Sequence, residues 1–196
     1  MIAFRLRQSS AVWKIAIVAA ASASWALAAG TVDVTGHRSR LQLAKQPKGA
    51  EQVLTVQKAM VAGRSKPNAA ETRDVVISGQ IGGMPNIWPE EHPGFPWYQK
   101  QASLFLVDSK IASQFAAHAK HHGGGHNCAF CQSLAEKNAT AIAVVNFVDE
   151  KGEIIRVKAS ELLGLKENQT ITIRGKARLL GGSMLVIDAD GVYTKR

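Results

Sequence analysis

The chain has 196 residues, 46% of them hydrophobic, with two cysteines and a formal net charge of +9. This length suits one ordinary domain with a hydrophobic core and some additional chain. The excess charge is uneven, because residues 29–73 carry eight basic and three acidic side chains whereas residues 74–196 carry thirteen and twelve. Binding a phosphate backbone needs clustered Lys and Arg, so the nearly neutral C-terminal region argues against nucleic-acid binding.

Residues 1–28 have the layout of a signal peptide. Three basic and no acidic residues lie in this segment, and an uncharged, mostly apolar run over 15–29 includes Ala26-Leu27-Ala28. This small-x-small pattern predicts cleavage after Ala28, and the run is shorter than the roughly 20 residues that a membrane-spanning helix needs. We expect a secreted or periplasmic mature protein, with an uncleaved N-terminal anchor as the alternative.

Residues 29–73 are rich in Lys, Arg, Gln, Ala and Gly. This composition predicts a basic, flexible linker with one short helix in the amphipathic stretch 51–61. The simplest role for this segment is that of a solvated tether. The positive charge would also allow peripheral contact with an anionic envelope surface.

From residue 74 onward, short β-branched runs alternate with Gly, Asp and Asn, which is typical of a small all-β barrel. Gly79, Gly82 and Gly83 permit the strong bend that a first barrel strand needs. We predict a mainly β domain over 74–196, with a short helix before its fourth strand. The predicted strands cover residues 75–83, 102–108, 140–148 with a hairpin extension at 153–157, 169–180 and 184–193, and the predicted helix covers 160–163.

This order of elements resembles the OB-fold, a five-stranded Greek-key barrel. The segments 170–177 (TITIRGKA) and 185–193 (LVIDADGVY) look like the closing strands of exported bacterial OB-like proteins. Over residues 74–196, the chain is similar to an uncharacterised family of exported bacterial OB-fold-like proteins with a His-Asn-Cys-x-x-Cys element between strands two and three. The resemblance implies a fold and a location but no activity, because one barrel hosts many unrelated functions.

The segment 85–98, between the first two predicted strands, combines aromatic residues with four prolines. In an OB-fold this loop lies beside the ligand face, where aromatic side chains can stack on bases or sugars. Trp88, Trp97 and Tyr98 are therefore possible ligand-binding residues. Packing that closes one end of the barrel is the alternative role.

The insertion 109–138, between strands two and three, contains four of the six histidines and both cysteines. Ser109 can cap a helix to about His122, with positions 111, 115, 118 and 122 on one face. Three glycines at 123–125 end that helix, and Asn127 can cap a second one that carries the cysteines on one face. The sequence thus predicts a helical, His/Cys-containing insertion that presents imidazoles and thiols together.

Two imidazoles and two thiolates can form a tetrahedral zinc site, and the same ligands suit copper. Only five residues separate the His122 and Cys128 positions, fewer than in common zinc-finger layouts, although the glycines give freedom. Haem attachment is excluded because Gln132 follows Cys131, and no nucleotide-binding glycine pattern occurs. The candidate metal ligands are His118, His122, His126, Cys128 and Cys131, with His121 as a further imidazole.

We therefore expect an exported protein that binds one zinc or copper ion and has no catalytic activity. One alternative is an envelope module whose barrel face and aromatic loop bind a saccharide, peptide or protein partner. Another is a CxxC thiol–disulfide redox protein, or a structural Cys128–Cys131 disulfide. The His-Gly-rich stretch could also be a solvated turn. The sequence leaves the small ligand or envelope partner undefined.

Overall fold

The computed structural model describes residues 32–64, 71–122 and 129–195, apart from the side chains of 119–122. The segment 1–28, interpreted as a signal peptide, lies outside these ranges. Within them, no helix is long and apolar enough to cross a membrane. The helices are α1 (Val34–Leu41), α2 (Val53–Ala62), α3 (Ser109–His122), α4 (Ala129–Lys137), a 3-10 turn (Ala139–Ala141) and α5 (Ala159–Leu163). The strands are β1 (Glu51–Gln52), β2 (Arg73–Ile81), β3 (Ser103–Val107), β4 (Ile142–Phe147), β5 (Thr170–Leu180) and β6 (Met184–Thr194).

Strands β2 to β6 form a closed barrel. Strand β2 pairs antiparallel with both β3 and β5, and β3 pairs antiparallel with β4. Strand β4 runs parallel to β6, which returns antiparallel to β5 and closes the circle. The predicted mainly β class and five-stranded barrel are confirmed. The position of α5 between β4 and β5 is consistent with the OB-fold-like arrangement.

Glycines make the close approach of β2 to β3 possible. A Cβ atom on Gly79 would lie 2.7 Å from Leu106 Cγ and 2.8 Å from the Val107 carbonyl oxygen. Gly82 and Gly83, just beyond the end of β2, have φ angles of +65° and +85°, which side-chain-bearing residues rarely adopt. The glycines that predicted a bend in the first barrel strand therefore lie where two backbones meet closely and the chain turns.

Strands β3 and β4 are buried on both faces. Successive side chains point to opposite sides of a strand, so Leu104 and Leu106 face the barrel interior whereas Phe105 and Val107 face outward. The outward side chains belong to a second hydrophobic cluster, here called the outer cluster. Its buried members are Met84, Phe105, Val107, Ile111, Ala112, Phe115, Cys131, Ala135, Ala141, Ile142, Val144 and Val186.

Residues 32–64, here called the N-terminal arm, pack into the barrel core. Leu41, Val53 and Val56 have no exposed surface and belong to the same cluster as the barrel interior. Strand β1 pairs parallel with β2, and the Leu43 amide donates to the Val192 carbonyl at 2.8 Å. This packing differs from a flexible linker. The polar composition reflects the solvent-facing side chains, while a few apolar residues suffice to attach the arm.

Basic side chains of the arm also hold it against the barrel domain. Arg38 donates from Nε to the Leu162 carbonyl at 2.7 Å and from Nη2 to the Glu161 carbonyl at 2.9 Å. Both carbonyls lie in the last turn of α5, where a cation is favoured by the helix dipole. Arg40 donates from Nη2 to the Val148 carbonyl at 2.6 Å. Part of the positive charge assigned to a tether therefore serves internal contacts.

Candidate functional site

The helix α3 presents its predicted apolar face to the barrel. Ile111 and Phe115 are 8% and 6% exposed and belong to the outer cluster. His118 follows Phe115 by three residues, which places it on the same side of the helix one turn further on. Ile111 and Phe115 are thus buried on this side of α3, and His118 lies one turn further along it.

Asp108, rather than Ser109, caps α3. Its Oδ1 accepts from the Lys110 amide at 3.0 Å, and its Oδ2 accepts from the Leu54 amide at the start of α2 at 3.1 Å. The carboxylate is 3% exposed. One side chain thus orients the helix that carries His118 and ties it to the N-terminal arm. Sequence reasoning placed the cap one residue late, although Asp is as good a cap as Ser.

The start of α4 lies beside the end of α3. The ring centroids of His118 and Phe130 are 5.1 Å apart, with the rings tilted by 39°. Cys131, the next residue, is buried in the outer cluster with Phe115. Phe130 itself is 62% exposed. An imidazole of α3 and the segment that carries Cys131 are therefore neighbours.

The predicted metal ligands are only partly within the described residues. His118 and Cys131 have described side chains, whereas His122 is described by its backbone alone. His126 and Cys128, and the side chain of His121, lie outside the description. In the ranges that are described, no three His, Cys, Asp or Glu side chains form a group that could hold a metal ion.

The aromatic loop, residues 85–98, packs on Phe105 of β3. The rings of Trp88, Phe95 and Tyr98 stack on Phe105 with centroid distances of 5.5, 5.2 and 5.2 Å. The His92 ring meets Phe105 edge-on at 5.1 Å. Burial raises the pKa of the Tyr98 phenol. Sequence analysis missed Phe105 and His92, because neither is distinguished by spacing or neighbours.

Trp97 belongs to a different environment from Trp88 and Tyr98. It forms an isolated bridge with Leu104 and packs against the barrel core. The three aromatic residues named as possible ligand contacts therefore do not share one surface. In OB-folds the second and third strands offer their outer face to ligands. Here Phe105 and Val144 on the corresponding strands lie under the chain's own loop and helices.

Asn86 organises the aromatic loop. Its Nδ2 donates to the His92 carbonyl at 2.8 Å, and its Oδ1 accepts from the Trp88 amide at 2.9 Å. Its own carbonyl accepts from Gln132 Nε2 at 3.2 Å. Since Gln132 follows Cys131 in α4, the loop and the cysteine-bearing helix are joined at this residue.

A polar ladder crosses four strands of the barrel. Ser103 Oγ donates to Asn146 Oδ1 at 2.8 Å, and Asn146 Nδ2 donates to Asp188 Oδ1 at 3.1 Å. Asp188 pairs in turn with Arg178. Ser103 is fully buried and Asn146 is 6% exposed, so this end of the ladder satisfies internal groups and is closed to a ligand, whereas the Arg178 and Asp188 side chains are 40% and 35% exposed.

Comparison with known proteins gives no assignment. No family model matches the chain, and neither the curated proteins nor the solved structures contain a match. The resemblance to an exported OB-fold-like family therefore stays a prediction.

Proposed function

We propose that the protein is an exported, non-catalytic metal-binding protein that holds one zinc or copper ion between α3 and α4. The contact between His118 and Phe130, beside buried Cys131, carries the proposal. This contact brings an imidazole of α3 next to the residue that precedes Cys131 in α4. The proposed ligands come from His118, His122, His126, Cys128 and Cys131.

The apolar surroundings of Cys131 limit the net charge that a metal site there can carry. A thiolate buried beside residues such as Phe115 is costly unless its charge is neutralised. A divalent zinc ion with two thiolates and two neutral imidazoles has no net charge, whereas Cu(I) with the same ligands leaves one negative charge. Charge balance therefore favours zinc over Cu(I).

Elemental analysis of the purified protein tests this proposal. We expect about one equivalent of zinc or copper, lost in Cys131→Ser and strongly reduced in His118→Ala. His37→Ala, on α1, is the matched control and should keep its metal. Metal-free protein with a Cys128–Cys131 disulfide would contradict the proposal. Disulfide reductase activity that disappears in Cys128→Ser would favour the redox alternative instead.

The proposed location and domain organisation accompany this function. We propose that residues 1–28 are a cleaved signal peptide and that residues 109–138 are a helical His/Cys-containing insertion in an OB-fold-like barrel. N-terminal sequencing of the mature protein should begin at Ala29. Recovery of a chain that retains residues 1–28 from an envelope fraction would support the anchor alternative.

The aromatic-loop alternative receives less support from the packing. Trp88 and Tyr98 stack on a buried Phe105, and Trp97 packs elsewhere. Ligand binding there would require these internal contacts to be replaced. Titration of wild type and Trp88→Ala with saccharides or peptides distinguishes this alternative from metal binding. The metal proposal predicts no ligand response at this loop, whereas the alternative predicts binding that is lost in Trp88→Ala.

A further inference from the structure

Three consecutive residues at the start of α4 contact three different parts of the molecule. Phe130 meets the His118 ring of α3, and Cys131 enters the outer cluster on the barrel. Gln132 donates to the Asn86 carbonyl of the aromatic loop. Successive helical residues project about 100° apart around the axis. These contacts therefore oppose rotation of α4 about its own axis.

The anchor that receives Gln132 is itself well fixed. Both polar groups of the Asn86 side chain are engaged, with the His92 carbonyl and the Trp88 amide. The loop that contains these residues is packed on Phe105 through Trp88 and His92. A hydrogen bond to a rigid anchor orients the donor better than one to a mobile loop, because less freedom remains to be lost.

Rotation of α4 would change the direction of the Cys131 thiol. The apolar contact of Cys131 is non-directional and permits some rotation. The hydrogen bond from Gln132 has defined distance and angle requirements, which makes it the more restrictive contact.

We propose that Gln132 is a positioning residue, which through Asn86 holds α4 in the rotation that keeps the Cys131 thiol in the outer cluster. This positioning role rests on the proposed metal-binding function, and Gln132 would not itself be a metal ligand. Groups that orient metal ligands from outside the coordination sphere commonly affect metal affinity. Loss of one such hydrogen bond should weaken zinc binding about fivefold.

The experiment compares the full chain carrying Gln132→Ala, Gln132→Glu or Gln132→Lys with wild type. Glu keeps the size of Gln but lacks the N–H donor, whereas Lys retains a donor. Ser133→Ala, at an exposed position of α4, is the matched control. Zinc dissociation constants are measured by chelator competition. In a second series, reduced chains that carry Cys128→Ser report the rate at which a thiol reagent modifies Cys131.

We expect Gln132→Ala and Gln132→Glu to bind zinc about fivefold more weakly and to expose Cys131 to faster modification. Gln132→Lys should lie nearer to wild type, and Ser133→Ala should match it. Unchanged thiol reactivity in both donor-deficient variants overturns the positioning role. If wild type binds neither zinc nor copper, the proposed function fails, but accelerated modification of Cys131 in these variants would still support the positioning of α4.

Discussion

Replacing Leu41 with alanine removes a side chain that the N-terminal arm inserts into the barrel core. Leu41 has no exposed surface and packs in the cluster that contains the interior residues of β2 to β6. The change deletes three carbon atoms, about 2.4 kcal/mol at roughly 0.8 kcal/mol per buried methylene, before any cavity cost. With an incompletely collapsed cavity, the free energy of unfolding should fall by about 2–5 kcal/mol.

Urea unfolding followed by tryptophan fluorescence measures this difference, since Trp88 and Trp97 lie in the folded domain. Lys58→Ala, at an exposed position of α2, is the control and should change stability by less than about 0.5 kcal/mol. A flexible linker would give no effect at either position. If Leu41→Ala unfolds within about 0.5 kcal/mol of wild type, the integration of the arm into the core is refuted.

Three further predictions concern other contacts. Asp108→Ala should destabilise the protein by about 1–3 kcal/mol, because the Leu54 and Lys110 amides lose their acceptor, and thermal unfolding checks this against a milder Asp108→Asn. Asn146→Ala should cost about 1–3 kcal/mol in chemical denaturation, since the buried Ser103 hydroxyl loses the acceptor of its hydrogen bond; a neutral result would show that water replaces Asn146. Burial raises the pKa of the Tyr98 phenol above its unfolded value near 10.0. The stability that the neutral, buried phenol gives the folded state is therefore complete below that unfolded pKa and is lost as pH rises through the folded pKa. Tyr98→Phe should reduce this alkaline sensitivity in unfolding scans, and equal sensitivity in both chains would contradict the cause.

The candidate site shows which of its features could be predicted from the helical period of the sequence. The 3.6-residue period placed Ile111, Phe115 and His118 on one helix face, and the first two are buried there. The same period said nothing about what that face contacts. The outer cluster under α3, and the neighbouring Phe130, depend on how the chain returns to β4. The ligand set itself stays a prediction, because only His118 and Cys131 have described side chains.

The sequence by itself determined the β barrel, the glycine bend and the helix before the fourth barrel strand. These features arise from local alternation, turn residues and backbone freedom, which neighbouring residues specify. Only the tertiary structure decided the roles of the arm and the aromatic loop. Leu41 is buried because barrel strands far along the chain surround it, and Phe105 is covered because the preceding loop folds back onto it beside α3 and α4. Such contacts depend on non-local chain geometry, which composition and periodicity do not encode.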